Sequence, residues 1–561
     1  MIADVCIVTE GTYPYVMGGV STWIAQILDT MPQLKFSLIH VSASRLLSPE
    51  IRYALPPNLV SFQNVYLYDF APPRKGKEVI DQEVLSPEEK SIMLDFYLGL
   101  TAGRAVETMD VARIARSFEF DSEFVEAMAH SQSIWSVLTN LYRRSAPPGL
   151  GFLDFFWTAR ALFMPILNLM RTPIPRARVY HASCTGYAGF LGARARRETG
   201  RPYILTEHGI YSRERRIELS RIDWLSTSGA SRILQLERSR NWFREWWVRL
   251  FQSLSRTAYA QSSRIISLYQ GNKDTQIHEG ANAAIIDLIP NGIIVDRFKN
   301  IPRRRREPGE TLRIGFVGRV ASIKDIKTLL RAMSILAARK VDFITRVTGP
   351  MDEEPEYTDE CLDLCDRLEL TEKVLFPGPS RDLPKVYSEM DVLVLTSVSE
   401  GFPFVILEAN CAGVPVVATN VGACRDILTG MNKEDLALGP SGLITPVNAP
   451  GETAKALERL ARDPALTYAY GMAGRERAIR FYDLRLVMAQ YQQLYETYVF
   501  AAGKAADDRG DDLPRRRLTK SRVIFLPRQT AGGAAMRITG RLVNFGNAAL
   551  KNGRAREPGK D

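Results

Sequence analysis

Cysteine is scarce in this chain: six among 561 residues, with no CxxC pair. That argues against a disulfide framework or a zinc ribbon and favours a reducing compartment. Long apolar runs are missing too. The best candidate, ALFMPILNLM at 161–170, falls far short of the roughly 20 residues that a membrane span needs. No export signal is visible, because MIADVCIVTEG places Asp4 where such a signal needs its cationic start and apolar stretch. That segment reads as a first buried strand instead, and the chain is expected to be cytoplasmic, soluble or peripheral to a membrane. No convincing DxD metal motif and no recognisable nucleic-acid motif occur. Gly186, Gly189 and Gly192 do not form GxGxxG, so close packing of helix on strand is the reading for them, and the neighbouring His181 is assigned no role.

What is present is core-forming material. Hydrophobic residues make up 45% and charged residues 24%, close to the globular average, which excludes a fibrous or wholly disordered chain. The length predicts two to four domains. The net charge of +10 sits at one end: from Lys504 onward there are 14 basic and 6 acidic residues, which leaves +2 for everything before. A basic tail argues weakly for nucleic acid, because phosphate affinity needs charges held together on a folded face. Residues 501–561 are expected to be a disordered, solubilising tail. Its SRVIFLP segment offers docking on an anionic inner membrane as the alternative.

Short β-branched runs alternate with amphipathic helical stretches, and the pattern occurs twice, which predicts two doubly wound α/β domains. Six strands are expected in the first half (DVCIV, FSLIHV, VYHAS, YILTE, RIISLY, IIDLIP) and six in the second (LRIGFVG, FITRVTG, VLFPG, VLVLTS, VPVVAT, GLITPV). The first domain is assigned 1–300, with a helical insertion at about 71–176 where the strand signal disappears. The second is assigned 308–480, after the charged run PRRRREPGE at 302–310 read as a linker. A further helix is expected at 481–500. In open α/β sheets ligands bind beyond the carboxyl ends of strands, so two such domains would face a central cleft.

The most informative segment is TSVSEGFPFVILEANCAGVPVVATNVG. A strand ends at Ser397, and a helix is expected with Pro403 at its first position. Glu400 lies in the loop and Glu408 on the helix. The amides of Gly401, Phe402 and Phe404 would surround a helix N-terminus suited to a phosphate or sugar oxygen. A carboxylate is also a good acceptor for paired ribose hydroxyls. The bland alternative is two glutamates that cap and solvate one helix.

Glu, seven residues, Glu after EGFPF resembles the retaining nucleotide-sugar glycosyltransferases of family 4, which have the GT-B fold. GRVASIKDIKTLL (318–330) resembles that family's strand-loop-helix, in which an arginine and a lysine five residues apart bind the donor pyrophosphate; Arg319 and Lys324 match them. Asp325 stands where the family commonly has glycine. VTEGTYPYVMGGVSTWI, TEHGIYSRER and the stretch from NWFREWW to LYQGNKD are similar to the PelF-type glycosyltransferases of Pel exopolysaccharide systems. Gly18 and Gly19 would let backbone amides approach a diphosphate, with a plain turn as the alternative. His208, at the end of a strand, resembles the family histidine near the transferred sugar; a satisfied structural histidine is the alternative.

The resemblance implies retaining transfer of a hexosyl unit from a UDP-sugar, UDP-glucose by preference, to a growing polysaccharide. No metal or other cofactor is expected. It implies that Arg319 and Lys324 stabilise the leaving diphosphate, Glu408 holds the ribose, Glu400 binds donor-sugar hydroxyls and His208 shapes the acceptor side. A Pel-type synthesis complex at the inner membrane is the candidate partner. A GT-B nucleotide-sugar 2-epimerase and a catalytically silent glycan-binding scaffold are the alternatives. The aromatic run from Trp242 to Phe251 suits core packing, or else a membrane surface or acceptor glycan. The acidic MDEEPEYTDE loop, DDRGDD and the Cys361/Cys365 pair are read as solvated charge and as no metal site.

Overall fold

The computed structural model describes residues 2–44, 50–68, 85–117, 132–220, 233–303 and 305–507. The chain forms two compact units, one of Met1–Ile266, Gln276–Ile286 and Leu494–Asp561, the other of Ser267–Thr275 and Asp287–Gln493.

The first unit is built on β1 (Ala3–Glu10), β2 (Phe36–Ser42), β3 (Leu59–Tyr66), β4 (Ala177–Ala182), β5 (Tyr203–Glu207), β6 (Arg264–Ser267) and β7 (Ile286–Leu288), in spatial order β3-β2-β1-β4-β5-β6-β7. The pairings from β3 through β5 are parallel. Val5, Cys6, Ile7 and Val8 of β1 are all buried, as a strand covered on both faces requires. Six strands were expected here and seven form among the described residues. The extra one, β3, reads LVSFQNVY and lies at the sheet edge, mostly half-buried, so its polar residues hid it.

Helices Pro87–Thr101, Met109–Ser117, Gln132–Ser145 and Phe152–Arg171 follow β3; residues 71–84 and 118–131 of the expected insertion lie outside the described residues. Helix Pro87–Thr101 starts with proline behind a Ser86/Glu89 capping box, which satisfies two of the amides a helix start leaves open. Helix Phe152–Arg171 is long and apolar enough, by length and composition, to cross a membrane, twice the run read from the sequence. Half of its apolar window is buried, with Phe155, Leu162, Ile166 and Leu169 in the unit's own core. The aromatic run lies on helix Ile233–Gln261, where Trp246, Leu250 and Phe251 are buried and Trp242 stacks near Trp246 and Phe155. Core packing is what those aromatics do.

The second unit carries β8 (Leu312–Val317), β9 (Phe343–Thr348), β10 (Val374–Gly378), β11 (Val392–Leu395), β12 (Val416–Thr419) and β13 (Gly442–Thr445), ordered β10-β9-β8-β11-β12-β13 and paired in parallel. Its core is a separate apolar cluster. The run at 302–310, read as a linker, lies inside this unit. Arg303 donates to the carbonyls of Tyr387 and Met390, and Arg306 to those of Glu310, Leu460 and Ala461. These arginines fasten the run to the unit, and the chain changes unit near residues 266–287 instead. Phe481 ends helix Pro464–Phe481, and the last helix runs Leu484–Asp507 rather than from 481 to 500. Residues 508–561 of the tail lie outside the described residues.

Candidate active site

β8 ends at Val317, and the loop beyond it carries Arg319 and Lys324 at the carboxyl end of the strand before helix Ile326–Ala338. Asp325 takes φ +48°, a left-handed conformation that Asp tolerates better than most residues with a Cβ. Its carboxylate accepts from the Thr328 amide at 3.1 Å and caps the helix. Asp325 therefore takes a backbone conformation of the kind that glycine favours. Thr396 Oγ1 donates to the carbonyls of Lys324 and Asp325 at 3.1 and 3.0 Å, and the Val398 amide to that of Ile323 at 2.9 Å. The cation loop is thereby tied to the segment following β11.

That segment supplies Glu400. Lys324 Nζ donates to Glu400 Oε1 at 2.6 Å, and the buried Ser397 hydroxyl donates to the same oxygen at 2.6 Å. Both charged side chains are largely shielded, 17% and 11% exposed, so this charge-assisted contact is stronger than a surface pair. Gly422 holds the loop from behind. At φ +52° a Cβ there would lie 2.2 Å from the Glu400 carbonyl oxygen, so only glycine lets the two loops meet.

Arg319 pairs with Glu353. The MDEEPEYTDE stretch is thus not merely solvated charge. Glu354 accepts from the Ser322 amide at 3.0 Å and sits at the cap of helix Pro355–Arg367. Because β8 and β9 are neighbours, their following loops touch; a Cβ on Gly349 would overlap the Gly318 carbonyl at 1.8 Å. Each candidate phosphate cation therefore already has a carboxylate partner. An anion binding here would have to exchange with these carboxylates.

Helix Phe404–Cys411 begins one residue later than expected, with Pro403 at its cap. Gly401 leads into it and Phe404 is half-buried, while Phe402 turns into the core beside Tyr482 at 5.9 Å. Glu408 accepts from the Tyr387 hydroxyl at 2.7 Å. Burial pushes its carboxyl above the usual range, against the lowering effects of Tyr387 and the Arg297 charge. The two glutamates thus take different partners. A cavity of about 330 Å³ in this unit is lined by Arg313, Arg346, Thr348, Ser380, Lys385 and Glu389, not by the four motif residues.

The first unit holds the other candidates. His208 follows β5, and its ring meets the buried Trp23 edge-on at 4.7 Å. Nε2 is shielded, with no hydrogen-bond partner among the described residues, and burial lowers the imidazole to about 3. It is neutral at pH 7. Gly18 caps helix Gly19–Thr30, both glycines are exposed, and a Cβ on Gly18 would meet open space. Among the described residues no three His, Cys, Asp or Glu side chains gather as a metal site.

Glu353, Ser397, Tyr387 and Gly422 were missed by sequence reading. Only Gly422 carried a signal, as a glycine in the loop after a strand.

Residues 3–284 match the model described as a domain of unknown function, DUF3492, a span of just over half the chain. The chain belongs to that family. Residues 297–477 match glycosyl transferases group 1. Among curated proteins it is similar to D-inositol 3-phosphate glycosyltransferase of Corynebacterium jeikeium, 32% identical over 36% of this chain and 49% of that protein. It is also similar to 2-deoxystreptamine glucosyltransferase of Streptomyces kanamyceticus, 28% identical over 59% and 80%. The chain spans about half the length of the first of these relatives. Among solved structures, Anabaena HepE in complex with UDP and glucose covers 88% of this chain and 99% of its own at TM-score 0.52 and 15% identity. Sucrose-phosphate synthase from Thermosynechococcus elongatus covers 89% and 100% at 0.51 and 17%. The fold of this DUF3492 chain is GT-B, and its residues 297–477 are a group 1 glycosyl transferase domain.

Proposed function

We propose that this protein is a PelF-type, family 4 retaining hexosyltransferase that moves glucose from UDP-glucose to a growing exopolysaccharide of the Pel type, in biofilm formation. The observation that carries the reading is the Lys324–Glu400 contact, 2.6 Å at the strand ends of a group 1 domain, with Arg319 in the same loop as Lys324. HepE, of similar fold, is complexed with UDP-glucose, which supports the choice of donor.

In this reading Lys324 and Arg319 take the charge that develops on the departing diphosphate, in the role a metal ion plays elsewhere. Glu400, released from Lys324, accepts from donor-sugar hydroxyls. Glu408 and the amides of Gly401, Phe402 and Phe404 hold the nucleotide, Gly18 and Gly19 leave room for phosphate, and neutral His208 serves the acceptor side. With no carboxylate assigned as nucleophile, attack proceeds on the face the diphosphate leaves, its oxygen taking the acceptor proton. The work is placed in the cytoplasm, at an inner-membrane synthesis complex.

Replacing Glu408 by glutamine keeps the side chain's shape but removes the charge and one acceptor. UDP affinity, read by calorimetry, should fall about tenfold, equivalent to roughly 1.4 kcal/mol. Unchanged UDP affinity removes Glu408 from the ribose site.

A further inference from the structure

His181 lies on β4, fully buried, with both ring nitrogens engaged. Nδ1 is 2.6 Å from the Tyr495 hydroxyl and Nε2 is 2.8 Å from the Thr206 hydroxyl. Tyr495, also fully buried, packs its ring edge against Phe36 as well. It comes from helix Leu484–Asp507, whose residues up to Gln493 belong to the second unit and whose residues from Leu494 belong to the first. Thr206 lies on β5, two residues ahead of His208. Edge-on, the His181 ring meets Trp23 at 5.5 Å, and Trp23 meets His208 at 4.7 Å. One imidazole thus touches the last helix, the strand that presents His208 and the indole against which His208 rests.

If volume alone were needed, an apolar ring would fill this place without two polar atoms to satisfy. A neutral imidazole has one N–H and one acceptor nitrogen, so one hydroxyl must donate to it and the other must accept. Two hydrogen bonds at opposite corners of the ring fix its rotation, and with it the edge presented to Trp23. Loss of the Tyr495 bond removes one of these two anchors and loosens that rotation.

We propose that His181 is a positioning residue: bridged by Tyr495 and Thr206, it sets Trp23 and, through it, the orientation of the His208 ring. This rests on the reading that His208 serves the transfer reaction. The device makes the last helix part of the apparatus that orders His208.

The test uses the full-length protein and Tyr495→Phe, which deletes one hydroxyl and keeps the buried ring. His181→Gln, which retains a donor and an acceptor, and His181→Phe, which retains neither, form the second pair. Two readouts are taken: kcat and KM for UDP-glucose, and the imidazole resonances of protein labelled at its five histidines. Tyr495→Phe should shift the His208 ring signals and lower kcat about tenfold, as misorientation of a site group does, with KM little changed. His181→Gln should keep more of kcat than His181→Phe. If Tyr495→Phe leaves the His208 signals and kcat as they were and lowers only the melting temperature, His181 is a structural residue and the proposal falls. If the wild-type protein transfers no sugar, the functional reading fails by itself; the His208 signals then decide, a shift upholding the positioning and no shift overturning it.

Discussion

Lys324→Ala should depress turnover about a hundredfold, the usual effect of deleting one contact made to charge developing in the transition state, roughly 2.7 kcal/mol. The structure adds a reason for a large effect. Lys324 holds Glu400 at 2.6 Å, and without the ammonium that carboxylate keeps, among the described residues, the Ser397 hydroxyl. An unneutralised carboxylate would then stand beside the leaving diphosphate and repel it. Lys324→Arg should recover part of the rate, since charge is retained but the compact ammonium is not. Steady-state kinetics with UDP-glucose read both variants. Turnover near the wild-type value in Lys324→Ala removes this residue from the reaction.

Acidification should destabilise the first unit well before its carboxylates are all protonated. Burial lowers His40 to about 4 and His181 and His208 to about 3, against about 6.5 in an unfolded chain. For a group with a depressed folded pKa, the unfolded state binds more protons as the pH falls below 6.5, so stability is lost from there downward. From pH 7 to pH 5 each histidine costs roughly 2 kcal/mol by this linkage. Glu207 works the other way. It is buried beneath the hydroxyls of Thr185 and Tyr259 and the Gln276 amide, and burial pushes it up to about 7. It therefore loses stability as pH rises from about 4.5 to 7 and returns roughly 2 kcal/mol on acidification to pH 5. Three histidines against one glutamate leave a net loss of about 4 kcal/mol. Hydrogen exchange at pH 7 and pH 5 should show protection in β1, β4 and β5 falling more than in β8 and β11. Equal protection at both pH values contradicts it.

The sheets were legible in the sequence where the strands are buried on both faces, because such strands are continuous apolar runs. β3 was hidden for the opposite reason: at the edge, half-wetted, it alternates with Ser61, Gln63 and Asn64. The charged run at 302–310 misled because an arginine in solvent and an arginine capping carbonyls are the same letter. Arg303 finds its acceptors and Arg306 two of its three on residues about 80 to 155 positions away. Arg319, Lys324, Glu400 and Glu408 were singled out because each lies in a loop or helix with a local motif, and the structure sets all four in one unit. Glu353 could not, since its acidic surroundings read as solvated charge; only the adjacency of β8 and β9 brings it to Arg319. Tyr387 and Glu408 are likewise joined by topology, and no spacing announces the pair.

A structure of the protein with UDP tests the central claim most directly. The account predicts diphosphate oxygens within about 3 Å of Arg319 and Lys324, the ribose on Glu408, and the Glu353 carboxylate displaced from Arg319. UDP seated elsewhere, with Arg319 still on Glu353 and Lys324 still on Glu400, would contradict it.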